Sequence, residues 1–353
     1  MTQEQSGALV DTEVQDAEAP AAIGPERLLG YFRGTRDGAT LFERYAGVLL
    51  LGALILGFSL ARPSIFPTYQ NFVGIAANQS VAGVIALGLL VPLAAGVFDI
   101  SISGTMTLSI VSVTGLFQYT DGRFPVVLAV IVVLLGACLV GVLNAGLVVG
   151  LGVDPFIATI GTGAVLVGLS QVVGNGTTLT FHIPASFTSF GSYTLWKMPA
   201  SLFVFVGAAI VLWYVLSQTP AGRIVYATGA GREAARLSGV RTSRVLTIAF
   251  MASAFGAASA GILYASQLGQ GPPGVGDSFL LPAYATAFLG ATIIRPGRFN
   301  VGGLVVAILI LAVGINGFEL LGTPFWVQSL FQGVALVGAV AIAQIRSRGL
   351  GPR

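Results

Sequence analysis

The chain has 353 residues, of which 55% are hydrophobic and 9% charged, with a formal net charge of +3. Soluble domains carry about 25% charged residues, so a string of soluble domains is excluded, and the continuous apolar runs exclude the alternating pattern of a membrane β-barrel. One cysteine (Cys138), one histidine (His182) and one lysine (Lys197, followed by Met198) leave no intrachain disulfide, no histidine metal cluster and no Gly-Lys-Ser/Thr phosphate loop.

The pattern predicts an all-α polytopic membrane protein. Its first stretch, Met1 to Glu26, holds six acids and no basic residue, and Ala, Gln, Glu and Pro dominate it. Residues 1–43 therefore read as a disordered cytoplasmic tail. A basic segment leading directly into an apolar core is missing there, so this is not read as a cleaved signal peptide. A transmembrane domain is expected over 44–347, with a cytoplasmic loop at 219–244 and a short cytoplasmic tail at 348–353.

Ten membrane-embedded segments are expected, at 45–61, 72–90, 103–119, 124–149, 156–173, 199–217, 245–268, 281–294, 301–318 and 326–345. Spanning a bilayer takes ~20 residues, so 103–119, 281–294 and 301–318 are candidates for broken or re-entrant helices. Alternating the segments from a cytoplasmic amino terminus puts fourteen of the seventeen basic residues inside. Only Arg62, Arg123 and Lys197 fall outside. That excess predicts both termini in the cytoplasm.

Two interruptions fall at corresponding places in the two halves: Pro92–Gly104 (PLAAGVFDISISG) and Gly290–Gly303 (GATIIRPGRFNVGG). Unwound backbone at membrane depth must face a cavity or protein rather than lipid, so such breaks point to a transport core. Asp99 is the acid of the first break. A charge there is costly, so two readings stand: with Ser101 and Ser103 it fixes a broken helix beside the pathway, or it caps the next helix.

The most heavily charged interruption is Ala221–Arg244, with five arginines and one acid, Glu233. Glu, Ala, Arg and Leu at Glu233–Leu237 favour a short helix, preceded by Gly231 and ended by Gly239. Glu233 and Arg236, three apart, share a face. Ala234 and Ala235 are small enough for a partner groove to approach the backbone. Such a helix between two spans is a handle for a partner protein; alternatively, the arginines only hold the loop in the cytoplasm.

GREAARLSGV resembles the "EAA" coupling loop in permease subunits of bacterial ABC importers of the ribose and branched-chain-amino-acid type. GVFDISISG resembles that family's G-x-D-L-S-x-G signature with Asp99 in the acid position. Two departures are present: Ala95 stands where a second glycine is common, and Ile102 and Ser103 stretch the pattern. GVLNAGLVVGLGVDPFIATIG, from Gly141 to Gly161, is similar to the family's G-x-x-N-G-x-x-V and P-F-I-x-T-x-G stretches. The loop with GNGTT, His182 and Trp196 resembles the family's external loop, which faces a binding protein.

The resemblance covers roughly residues 45–345. It implies a permease that moves a monosaccharide, with branched-chain amino acids or nucleosides as the alternatives. The EAARLSG and FDIS wording favours the sugar. It also implies an ATPase subunit gripping Gly231, Glu233, Ala234, Ala235, Arg236, Leu237 and Gly239. The other implied partners are an extracytoplasmic binding protein and a second permease subunit, identical or paralogous. ATP and Mg would then sit on the ATPase, and this chain would bind no cofactor and do no covalent chemistry.

Candidate pathway residues are Asn78, Gln79, Phe98, Asp99, Ser101, Asn144 and Phe156. Amides suit sugar hydroxyls, but Asn78, Gln79 and Asn144 equally suit bonds between helices. Phe156 is a pathway ring or simple packing. Asp154, before Pro155, is read as a helix cap. An ion-coupled transporter would need buried acids beyond Asp99, and a membrane-embedded enzyme would need a catalytic cluster that one His and one Cys do not supply.

Overall fold

The computed structural model describes the backbone of residues 41–349 and the side chains of residues 46–341. The tail expected at 1–43 therefore lies almost wholly outside the described residues, as do the last residues of the tail at 348–353. The described residues are helical almost throughout: α1 Leu41–Ala61, α2 Tyr69–Ala94, α3 Ile102–Gln118, α4 Val126–Ala145, α5 Pro155–Gly174, α6 Ala185–Ser192, α7 Ala200–Gln218, α8 Pro220–Ala230, α9 Arg232–Leu237, α10 Thr242–Leu268, α11 Asp277–Gly290, α12 Val301–Leu320 and α13 Trp326–Gly349. A π-helical turn, Gly146–Gly150, extends α4. A two-stranded hairpin pairs Thr194–Leu195 with Met198–Pro199.

A helix stands at each of the ten expected positions. Among the described residues six are long and apolar enough to cross a membrane: α2, α4 with its π-turn, α5, α7, α10 and α12. Ala46–Ala61 of α1, α3 and Trp326–Ala341 of α13 are shorter apolar helices, and α11 has 14 residues. The segment expected as a short one at 301–318 comes out as the 20-residue α12.

Burial divides the helices. In α2, α10 and α12 the apolar windows are 67%, 61% and 61% buried, against 28%, 28% and 22% in α4, α5 and α7. The first three form the centre. The others turn exposed Val, Leu and Ile outward, as at Val127, Leu135, Val172 and Val211, where lipid replaces water as the apolar solvent. α2 and α10 pack closely because both are glycine there: a Cβ on Gly256 would sit 2.6 Å from the Cα of Gly88. Small residues at a crossing are the usual means of tight packing between membrane helices.

The connections collect at two ends. At one end Leu179 and Gly271 exchange backbone hydrogen bonds of 3.1 and 2.8 Å. There Tyr69 also donates to the Lys197 carbonyl at 2.7 Å, and the Gln118 side chain accepts from Thr180 and Phe181 at 3.1 Å each. At the other end lie the segment after α2, the start of α5, the α8–α9 stretch and the 291–300 loop. They are joined there by the contacts of the site.

Candidate functional site

The site forms where α2 stops. Pro92 lies inside the last turns of α2, the helix ends at Ala94, and Gly96 turns left-handed with φ of 80°. The chain passes through Val97–Asp99 without regular structure before α3 begins. Gly96 meets Gly229 of α8 so closely that a Cβ on Gly96 would lie 3.1 Å from the Gly229 Cα, and a Cβ on Gly229 would strike the Ala94 carbonyl. Both glycines are therefore required by the approach of two backbones.

Asp99 and Ser101 are fully buried, as is Asn144 from α4. Oδ1 of Asp99 accepts from the Ser101 backbone N–H at 3.1 Å and from the Ser101 hydroxyl at 2.6 Å. The Asn144 amide donates to that same hydroxyl at 2.8 Å. The hydroxyl thus passes a bond from α4 to the break. Ile100 N–H donates to the Thr159 hydroxyl of α5 at 3.1 Å, so two helices, α4 and α5, hold the non-helical residues by side-chain hydrogen bonds. This satisfies backbone groups that the broken helix frees, as buried polar backbone demands. Asp99 acts here as a turn-former ahead of α3, with Ser101 closing the turn.

The carboxylate is not fully answered. Asp99 Oδ2, Asn144 Oδ1, Ser253 Oγ and the Tyr284 hydroxyl are buried without a partner among the described residues. No arginine or lysine pairs with Asp99 there; the Arg–carboxylate pair among the described residues is Arg236–Glu233. Beside the acid, Phe98 is 44% exposed. Its ring stacks on Tyr284 at 6.3 Å and on Phe288 at 6.2 Å, with planes 21° and 26° apart. A partly open aromatic face next to unsaturated hydrogen-bonding groups suits a small polar solute with an apolar side.

The other expected pathway residues do not join this cluster. Gln79 stands on α2 roughly 20 Å of helix axis from Ala94. Its side chain borders a cavity of about 180 Å³ lined by Leu51, Phe72, Ile75, Leu202 and Ile308. Asn78, next to it, is exposed. Phe156 is 52% exposed in the first turn of α5 and has no aromatic neighbour within stacking distance among the described residues. Asp154 caps that helix, accepting from Phe156 N–H at 2.9 Å and Ile157 N–H at 3.2 Å.

Sequence reasoning missed Thr159, Ser253, Tyr284 and Phe288. Each is a polar or aromatic residue inside an apolar run. Only Thr159 fell in a stretch already singled out.

The charged stretch holds two helices rather than one. α8 was not expected; α9 covers the expected short helix and starts one residue earlier. The Arg236 guanidinium donates to Glu233 at 2.6 Å, an exposed i, i+3 pair that stabilises the helix by about 0.2–0.5 kcal/mol. Gly239 adopts φ of 85°, where a side chain is strained, and a Cβ there would meet open space.

One expectation needs correction. Ala235 is only 6% exposed and faces the body of this chain, so it is not on the exposed face of α9, where a partner groove was expected to approach it. That outward surface is Glu233, Ala234, Arg236 and Leu237, the last 79% exposed. Alternation of small residues in the sequence cannot say which alanine points in; the packing of α9 against α8 and α10 decides it. A groove of about 650 Å³ lined by Arg232, Glu233, Arg236, Arg241 and Ser243 lies alongside.

Comparison with known proteins covers most of the helical region. A family described as "Branched-chain amino acid transport system / permease component" matches residues 71–340. The autoinducer 2 import system permease protein LsrD of Yersinia pseudotuberculosis serotype O:3 (strain YPIII) is 30% identical over 309 residues, covering 84% of this chain and 91% of its own length. The protein of the same name from Yersinia pestis (strain Pestoides F) is 29% identical over the same span. No solved structure matches the chain.

Proposed function

The chain belongs to the family of permease components of branched-chain amino acid transport systems, and from that premise we propose that it carries a monosaccharide or similarly small, sugar-like compound into the cell. It is a permease of an ABC importer, a multi-pass inner-membrane transport subunit and not an enzyme. The observation that carries the sugar-like reading is the likeness, over 84% of this chain, to relatives named as autoinducer 2 import permeases. The Phe98 face beside the unsaturated oxygens of Asp99 and Asn144 is chemically suited to such a solute.

In this reading both termini, α8, α9 and the 291–300 loop face the cytoplasm, as the arginine distribution favours. A soluble binding protein delivers the solute to the opposite end. ATP and Mg are held by a separate ATPase that docks on the exposed face of α9. Two permease subunits enclose the path, and ATP-driven closure of the ATPases exposes it alternately to each side. Branched-chain amino acids are the second reading, favoured by the description of the matching family; nucleosides are a third.

Deleting the gene from its host and measuring uptake of labelled ribose, autoinducer 2, leucine and uridine tests the choice. Loss confined to ribose or autoinducer 2 supports the sugar-like reading. Loss confined to leucine or uridine overturns it.

A further inference from the structure

α8 touches both helix breaks. At its carboxyl end Gly229 lies against Gly96, as described above. One turn earlier, the Tyr226 hydroxyl donates to the Phe299 carbonyl at 2.6 Å. The Arg298 guanidinium carbon sits 3.5 Å from the centroid of the Tyr226 ring, a cation–π contact. A single phenol thus grips two consecutive residues of the 291–300 loop.

That loop is tightly specified. The Asn300 amide donates to the carbonyls of Gly290, Ile293 and Arg298, at 3.3, 3.2 and 2.9 Å, while its oxygen accepts from Gly303 N–H at 2.6 Å. Ile294 is held at φ of 61°, a conformation that a β-branched residue adopts only when its surroundings impose it. Phe299 packs edge-on against Phe288 at 5.4 Å, and Phe288 belongs to the stack with Phe98 and Tyr284. A displacement of the Phe299 backbone is therefore felt at the aromatic face beside Asp99.

At that same carboxyl end α8 has no slack toward α9. Gly231 alone separates it from α9, Gly231 N–H bonds back to Ala227, and Ala235 N–H bonds to Gly231. Cores so packed move as bodies between discrete arrangements rather than deforming smoothly.

We infer that Tyr226 is a positioning residue that links the α9 helix to the two helix breaks, so that a push on α9 re-aims the Phe98–Tyr284–Phe288 stack. The link uses both faces of the side chain, the hydroxyl on Phe299 and the ring under Arg298. Burial pushes the phenol pKa up, against the opposing pull of Arg298, so the hydroxyl stays protonated and remains a donor. This inference rests on the reading that an ATPase docks on α9.

The test uses the permease purified from host membranes with whatever ATPase it retains, in a Cys138→Ala, Ile100→Cys background. Ile100 is part-exposed in the first break. The measured quantity is the rate at which a maleimide labels residue 100, with and without ATP and vanadate. With Tyr226 intact, nucleotide changes the rate by about five-fold or more. Tyr226→Ala abolishes that change while leaving ATPase retention normal, and Tyr226→Phe, which keeps the ring, restores part of it. Arg298→Gln, at an exposed side chain, reduces the change in the same way and decides the matter should Tyr226→Ala insert poorly.

An undiminished nucleotide effect in Tyr226→Ala or, with that variant poorly inserted, in Arg298→Gln overturns the inference. An intact-Tyr226 protein that retains no ATPase overturns the docking reading instead, so the two failures are distinguishable.

Discussion

The side chains of Asn144 and Ser101 are joined by a 2.8 Å hydrogen bond across 43 positions of sequence, and Ser101 relays it to Asp99 at 2.6 Å. All three groups are buried, so removing the middle one leaves an amide and a carboxylate short of partners. Ser101→Ala should cost about 1–3 kcal/mol of stability. Thermal unfolding of the detergent-purified protein checks this, and an unchanged midpoint would show that the relay carries no weight.

Asp99 itself holds a turn, and an asparagine can accept the same two hydrogen bonds through its amide oxygen. Asp99→Asn should therefore retain much of the uptake. Uptake should also survive collapse of the proton gradient while cellular ATP is maintained. Uptake that vanishes with an uncoupler at constant ATP would mean that the acid carries protons and the energy source is an ion gradient.

The orientation predicts opposite fates for two exposed serines. Ser238 follows α9, and Ser192 ends α6 at the other end of the bundle. In a Cys138→Ala background, Ser192→Cys should react with an impermeant thiol reagent added to cells whose outer membrane is permeabilised, and Ser238→Cys only after the inner membrane is opened. Labelling of Ser238→Cys from outside would invert the topology.

Much of this was legible in the sequence, for physical reasons that differ by element. Apolar runs located a helix at each of the ten expected positions, and six of these among the described residues are long and apolar enough to cross a membrane. Asp154 was readable as a cap because Asp-Pro fixes a helix start, and Asp154 accepts from Phe156 and Ile157. The break at Asp99 was visible because a charge interrupts apolar residues.

What packs around that break was not visible. Ser253 and Tyr284 come from α10 and α11, distant in sequence, and a serine in an alanine-rich run is ordinary. Gln79 looked like a partner for a solute, yet the length of α2 keeps it far from Asp99. α8 was hidden because Gly222 and Gly229 weaken its helical pattern; their role is close backbone approach, which only the fold reveals.

Capping gives a local check on α5. Asp154→Ala should destabilise the protein by about 1 kcal/mol, read as a lower unfolding midpoint, while Asp154→Asn keeps the cap and stays close to the parent. Equal losses in both would mean that charge rather than capping matters at this position.

The central claim is that α9 is where a separate ATPase takes hold. Leu237 is the most exposed apolar side chain of that helix, Ala234 lies on its open face, and Gly239 needs its left-handed turn. Ala234→Trp, Leu237→Asp and Gly239→Val change that face or its terminus without entering the membrane core. The direct measurement is the amount of ATPase that co-purifies with each variant, normalised to membrane-inserted permease. The account predicts about a ten-fold loss of retained ATPase in Leu237→Asp and Ala234→Trp, with a smaller loss in Gly239→Val. Full retention in all three would contradict it, leaving the arginine-rich stretch as an orientation signal alone.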